Sequence, residues 1–387
     1  MNQFSSLFCQ MLMLFSRRDF AQAVRETGAE RHSKGFCSWD QFVSMLFCQI
    51  GRAHSLREIC GGLATATGKL RHLGLQQAPK RSTLSYANSH RPWQLYQRVF
   101  FQMLERCQTL AATRNRKFRF KNKIITIDST VIDLCLSTFD WARFRRAKGA
   151  VKLHLLLDHD GYLPSFAVIT DGKRHDVKVA KKLSFPPGAI LLFDRAYIDF
   201  RWLSRLFEDG VYFVTKLKSN IHFEVVDYLP VSGDVLVDSI IRLSGPGAPE
   251  KCPHLLRRVI IWDPEKRETV AFLTNHFKLA APTIAAVYKD RWQIELFFKA
   301  LKQNLKIKTF LGTTPNAVKT QIWTALIAML VVKFLQLKSS FNWSLSTLVA
   351  LLRMNLLTYR DLWAWLDAPF ETPVLEPQAV QLKLNLS

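Results

Sequence analysis

Tyr288, Arg291, Glu295 and Lys302 lie within PTIAAVYKDRWQIELFFKALKQNLKI, a stretch with the apolar spacing of a helix that opens around Pro282. At about 100° per residue, their offsets place the four side chains near 0°, 300°, 340° and 320°, one stripe about 60° wide. Ile294, Phe297, Phe298, Leu301 and Leu305 fall roughly between 180° and 280°, which predicts a buried opposite side. A Glu on the margin of a buried face, with Arg one turn before it and Lys two turns after it, suits a metal-bound carboxylate flanked by phosphate-gripping cations. The same residues also suit a solvated helix face with i,i+4 charge pairs, and the helix alone does not separate the two.

The upstream sequence supplies partners for Glu295. KIITIDST, from residue 123, predicts a short β-branched strand that ends in Asp128. VKLHLLLDHDGYLPSFAVITDG predicts two strands around Asp160-Gly161, HDVKVAKKL a short helix, and AILLFDRAY a buried strand running into Asp194. FRWLSRLFEDG and VYFVTKL follow as helix and strand. Strand, strand, strand, helix, strand, helix, strand and a late helix is the element order of the ribonuclease H fold. In that fold the ends of the first and fourth strands are neighbours beside the late helix. Asp128, Asp194 and Glu295 are therefore expected to converge. One Asp at a strand end is commonly just a turn or a cap. Three acids at these places in the order point to a pair of Mg²⁺ ions, which take hard carboxylate oxygens and assist attack on a phosphodiester.

On these residues the chain resembles the DDE transposases of the IS-four-like group of bacterial insertion sequences, whose pattern is Tyr-x2-Arg-x3-Glu-x6-Lys. YKDRWQIELFFKALK, residues 288 to 302, matches it in full, with ITIDST, LLFDRAY and the LTN at 273–275 as flanking blocks. The resemblance implies that Asp128, Asp194 and Glu295 are catalytic metal ligands for two Mg²⁺ ions, with Mn²⁺ able to substitute. It implies that Tyr288, Arg291 and Lys302 contact transposon-end DNA, and Lys299 on the same helix is grouped with them. It further implies cut-and-paste transposition, with cleavage at terminal inverted repeats, strand transfer into target DNA and a homodimer bridging two ends.

Composition agrees. A net charge of +23, with a pI near 9.9, fits a polyanion partner, and 48% apolar residues put that charge on folded surfaces. No membrane association is expected: IWTALIAMLVVKFLQL contains Lys333 and predicts a buried helix, and the N-terminal apolar run lacks a preceding basic region. The seven cysteines form no CxxC pair and fit reduced thiols of a bacterial cytoplasmic, nucleoid-associated protein.

The expected architecture is α/β, a ribonuclease H-like catalytic core with a β-rich insertion between helical ends. Residues 1–112 predict a helical DNA-binding domain, with Ser38 and Ser55 as helix caps. Within it APKRSTLSYAN sets Lys80 and Arg81 at a helix start suited to DNA. The catalytic domain is expected over 113–309, its insertion at about 218–280, and a helical region over 310–387 that packs on the core or on a second subunit. The basic run TRNRKFRFKNK, and Arg143, Arg145, Arg146 and Lys148, are candidate phosphate contacts. Trp262, at a strand end in the insertion, is a candidate for stacking on a base, although strand-end Trp more often serves the core. His154 and His175 are expected to be structural. Two other readings fit the same residues: a ribonuclease H-fold nuclease or resolvase, and a domesticated DNA-binding protein without catalysis.

Overall fold

A computed structural model describes residues 5–375, except 32, 34, 67, 115, 135–138, 140, 142, 146–147, 173–174, 306 and 308–309. Arg146, Cys135 and Pro377 lie outside the described residues, as do the side chains of Arg143, Arg145 and Lys148, so that basic cluster has no structural account. The chain forms two compact units, residues 111–299 and residues 1–110 together with 300–387.

The first helices are α1 (Leu7–Leu12), α2 (Arg17–Thr27), α3 (Ser38–Gly51), α4 (Leu56–Ala64), α5 (Arg81–His90) and α6 (Gln94–Ala111). Ser55 caps α4 through the Glu58 N–H, as expected. At α3 the cap is Cys37, one residue before the expected Ser38. The Asp40 carboxylate reaches back to the Cys37 N–H at 2.8 Å and fixes the start there.

The sheet-bearing unit begins with β1 (Ile124–Leu134), β2 (Arg143–Arg145), β3 (Lys148–Asp158) and β4 (Leu163–Asp171). The β3–β4 hairpin turns at Gly161, whose φ of +80° favours a residue without Cβ, and Tyr162 follows with φ of +52°. After α7 (Asp176–Ala180) come β5 (Ile190–Leu192), α8 (Phe200–Glu208) and β6 (Tyr212–Lys216). The region of the insertion gives β7 (Phe223–Tyr228), β8 (Val235–Leu243), α9 (Ala248–Lys251), β9 (Leu256–Asp263) and β10 (Glu268–Thr274). These strands extend the core sheet, because β10 pairs antiparallel with β6. The strand order is β2-β3-β1-β5-β6-β10-β9-β8-β7, with β4 pairing β3. Asn275, after β10, accepts from the Phe213 N–H and donates to the Val211 carbonyl, which locks that seam.

Strand alternation divides the core between two faces. Ile125, Ile127, Leu191 and Phe193 pack with Trp202, Leu203 and Leu206 of α8. Ile124, Ile190 and Leu192 pack on the other face with Ile284, Val287 and Tyr288 of α10 (Ala281–Asp290). Buried Arg257 anchors the segment before α10, donating to the carbonyls of His276 and Leu279 while paired with Asp238 at 2.6 Å. Helix α11 (Trp292–Asn304) follows.

The chain ends with α12 (Pro315–Lys338), α13 (Leu345–Asn355) and α14 (Leu362–Asp367). Helix α12 packs against α3 and α5, so the C-terminal helices join the N-terminal ones in one unit and do not stand as a region of their own. It is the one described helix long and apolar enough to cross a membrane, and 94% of its apolar window is buried within the protein. The six described cysteines are free thiols.

Candidate active site

Two adjacent parallel strands deliver the aspartates. Thr126 of β1 stands opposite Leu192 of β5, and Asp128 and Asp194 each follow two residues beyond that rung. With side chains alternating along a strand, both acids project to the face that carries Ile124, Ile190 and Leu192, where α10 packs. Asp194 lies just past β5 as the cap of a short 3-10 turn, Arg195–Tyr197, and accepts from the Ala196 N–H at 2.9 Å.

Glu295 arrives in the first turn of α11, just beyond the end of α10. The expected single helix is broken at Arg291 into α10 and α11. Ile294, Phe297, Phe298, Leu301 and Leu305 are buried as expected, but Tyr288 leaves the charged stripe. It is 6% exposed and packs on Phe272 with ring centroids 5.2 Å apart, because α10 lies on the sheet by the Ile284 face that Tyr288 shares. Its hydroxyl is buried beside the Arg291 guanidinium. The Arg291 guanidinium stands between two of the acids, 2.7 Å from Glu295 and 3.8 Å from Asp128, and over the Tyr288 ring.

Asp290, one residue earlier, fixes the break. Its buried carboxylate takes Lys117 at 2.6 Å and His159 Nδ1 at 2.7 Å, with the Tyr162 hydroxyl at 3.2 Å. His159 Nε2 in turn meets Thr126 Oγ1 at 2.7 Å, two residues before Asp128. The chain of contacts thereby ties β1 to the junction that presents Arg291 and Glu295. It also engages part of TRNRKFRFKNK, the run expected to meet phosphate. Arg116, Lys117 and Lys123 are spent on Asp160, Asp290 and Asp158, and Phe118 and Phe120 pack on the core.

On the opposite face Ser129 Oγ donates to Asp176 at 2.6 Å, and Lys152 Nζ pairs with the same carboxylate at 3.2 Å. His154 is buried between Asp176 at 3.5 Å and Thr170 at 2.9 Å, a structural place. His175 is the exposed residue at the N-cap position of α7, where its side chain makes no capping bond. Sequence reasoning gave Asp176 only a helix-start role, and did not find Asp290, Ser129, Lys152 or Tyr197 beside the acids. Ser129 and Tyr197 are sequence neighbours of Asp128 and Asp194. Their side chains' approach to Asp176, and the contacts of Asp290 and Lys152, join residues far apart in the chain and leave no mark in the spacing.

Burial pushes the Asp128 carboxyl up to about 6, against the pull of the Ser129 N–H and Arg291, and the Glu295 and Asp194 carboxylates push it further. Burial, with Asp176, Asp128 and Asp194 nearby, holds the Tyr197 phenol well above its usual range. Among the described residues no three His, Cys, Asp or Glu side chains are gathered closely enough to hold one ion. The donor chemistry nevertheless fits a hard divalent cation. Mutually repelling carboxylates raise the cost of ionising Asp128, and the charge that balances them is Arg291, a cation in the place between two of the acids.

The Asp128 shift has a measurable consequence for the metal-free protein. A carboxyl raised from 3.8 to about 6 binds its proton more tightly when folded. It costs nothing below about pH 4, and the cost grows as pH rises through 6, to at most about 3 kcal/mol. In chelator, Asp128→Asn is expected to melt above the parent at pH 8 and to converge with it near pH 4. Melting curves that stay parallel across this range would refute the burial of charge.

The remaining candidates fall in separate places. Lys80 is the cap residue of α5 and Arg81 its first residue, both exposed. Lys299 is exposed and Lys302 half-buried on α11. Trp262 ends β9 with 40% of its surface exposed.

Strand β1 does not end at Asp128 as expected but runs on to Leu134, because it stays paired with β3. An acid in mid-β1, another just past the end of its parallel neighbour β5 and a third from the helix after α10 are the arrangement expected of a ribonuclease H-like phosphodiester-processing enzyme. Residues 119–331 match the family described as "Transposase DDE domain", and residues 3–76 match a domain of unknown function, DUF4372. The "Putative transposase y4zB" of Sinorhizobium fredii is 34% identical over 70% of this chain and 76% of its own length. The "Probable transposase for insertion sequence element IS5377" of Geobacillus stearothermophilus is 32% identical over 68% and 70%. A solved structure titled "Cryo-EM structure of piggyBac transposase synaptic complex with hairpin DNA" is 11% identical, with a TM-score of 0.48 over 97% of this chain and 84% of that one. The chain belongs to the DDE transposase family, in its IS-four-like branch: it is a divalent-metal-dependent DNA transposase, an enzyme that cleaves DNA and transfers the cut strand. The nuclease, resolvase and non-catalytic readings yield to this one.

Proposed function

We propose that the enzyme excises its element by cutting at terminal inverted repeats and inserts it by cut-and-paste, with Asp128, Asp194 and Glu295 as the catalytic acids. The observation that carries this reading is the common rung of β1 and β5, from which both aspartates project toward the face where α10 and α11 bring Glu295. The three carboxylates would hold two Mg²⁺ ions, for which Mn²⁺ substitutes. Bound there, divalent ions supply Lewis acidity and an acidified water or 3′-hydroxyl. Arg291 shifts from neutralising Glu295 and Asp128 to holding the phosphate between them. Tyr288 stiffens Arg291 from beneath, while Lys299 and Lys302 grip the backbone along α11.

End recognition is assigned to α5, where Lys80 and Arg81 stand exposed at a helix N-terminus above the partly buried Thr83 and Ser85. Trp262 offers an exposed ring for an unpaired base. A homodimer bridging two ends, at the nucleoid of a bacterial cytoplasm, completes the reading. Release of the element from a supercoiled plasmid carrying both ends, in Mg²⁺ but not in chelator, is the test; persistence of uncut plasmid at saturating protein would sink it. In the full chain, Lys80→Ala with Arg81→Ala is expected to lower the salt slope of end binding by about two. It should also narrow the preference for the end over a scrambled duplex. An unchanged preference would move recognition away from α5.

A further inference from the structure

A cavity of about 490 Å³ opens beside α8, lined by Lys181, Asp199, Arg201, Lys218, Asn220 and Lys251 together with Ile198, Phe200 and Ile221. Its cations come from four elements: the end of α7, the first turn of α8, the loop after β6, and α9. The single carboxylate is already engaged, since Asp199 takes Lys181 at 2.8 Å and the Trp202 N–H at 3.1 Å. Arg201, Lys218 and Lys251 form no ion pair among the described residues, so four cations and the Asn220 amide face a cavity whose one lining carboxylate, Asp199, is shared by Lys181 and the more distant Arg201. Like charges gathered around one concavity repel each other, and an anion is what relieves them.

The position identifies the anion. Asp199 lies five residues after Asp194, and Lys218 lies two residues beyond β6, the parallel neighbour of β5. The cavity lies on the α8 face of the sheet and the acids project to the α10 face, but both open at the carboxyl-end edge of β5 and β6, where α/β sheets bind their ligands. Five residues span at most about 17 Å, and successive base pairs rise about 3.4 Å. A phosphate in the cavity would therefore lie within about five base steps of the one being cut.

We propose that this cavity is a second DNA-backbone site of the transposase, taking phosphodiester groups a few base pairs from the scissile bond through Arg201, Lys218, Lys251 and Asn220. Two duplexes carry that chemistry, the element's own end and the target. The inference rests on the reading above for its DNA substrate and, for the distance to the scissile bond, on Asp194. Equilibrium binding in chelator, where no cleavage occurs, reads the cavity's grip on DNA without the acids.

The test compares the full-length protein with the triple variant Arg201→Ala, Lys218→Ala, Lys251→Ala across a salt series. One probe is a duplex copied from the element's end, and the other is an unrelated duplex offered to protein already holding a cut end. The salt slope is expected to fall by about two to three on one of them. Charge-preserving Arg201→Lys, Lys218→Arg and Lys251→Arg should restore it. Loss on the end duplex assigns the cavity to the element's flank, and loss on the second duplex alone assigns it to the target. Unchanged slopes on both, or a loss that the charge-preserving variant does not restore, overturn the proposal.

Discussion

Asp128→Asn, Asp194→Asn and Glu295→Gln are each expected to reduce end cleavage by about a thousandfold or more while leaving end binding within a few fold. Each change removes a formal charge and a hard oxygen ligand but almost no volume, so the sheet and α11 keep their packing. Stabilisation of transition-state charge by a correctly held metal is worth several kcal/mol, and each 1.36 kcal/mol is a factor of ten in rate. Cleavage in Mg²⁺ and electrophoretic shift in chelator, run on the same preparations, separate chemistry from binding. Near-normal cleavage by any one variant would remove that residue from the triad.

Arg291→Ala is expected to lower the single-turnover cleavage rate of a pre-bound end by about 10²–10³, the usual worth of one positioned charge at a reacting centre. Arg291→Lys should recover only part of it, because an ammonium keeps the charge but loses the planar fork that can span two oxygens. The contrast is with an exposed i,i+4 partner, worth tenths of a kcal/mol in stability and nothing in rate. Here the guanidinium is 13% exposed and reaches both Asp128 and Glu295. Lys302→Ala belongs in the same series. Unchanged single-turnover rates at saturating Mg²⁺ would leave Arg291 as a counter-charge of the metal-free site and no more.

The acids and the strands that carry them were legible because strand alternation and turn chemistry are local. ITIDST and LLFDRAY state their own burial pattern, and Asp160-Gly161 marks its hairpin. The four strands after β6 were legible as strands, but their joining to the core sheet depends on β10 finding β6 as its partner, and no pattern within either strand names the other. The break at Arg291 was invisible for a similar reason: no Pro or Gly interrupts YKDRWQIE. The interruption is held by Asp290 reaching Lys117 and His159, residues more than a hundred positions away. The partners of the basic run before β1 were not legible, because charge can be counted in a sequence while the acids that pair with it cannot be placed. The packing of α12 on α3 lay beyond periodicity too, since a helix apolar all round shows that it is buried but not by what.

Because Asp128 and Asp194 each stand two residues past one shared rung, the element is vulnerable to a particular kind of damage. Loss of a single codon between residues 125 and 127 would reverse the parity of every side chain from β1's start to the deletion or, if the strand slips to compensate, from the deletion onward. In the first case Ile125 and Ile127 lose their place against α8; in the second Asp128 turns from the face that α10 covers. Loss of two adjacent codons preserves parity and shortens the strand instead. Copies of this element in a genome would therefore be silenced by in-frame deletions of one codon here more readily than by deletions of two, with the reading frame downstream intact in both.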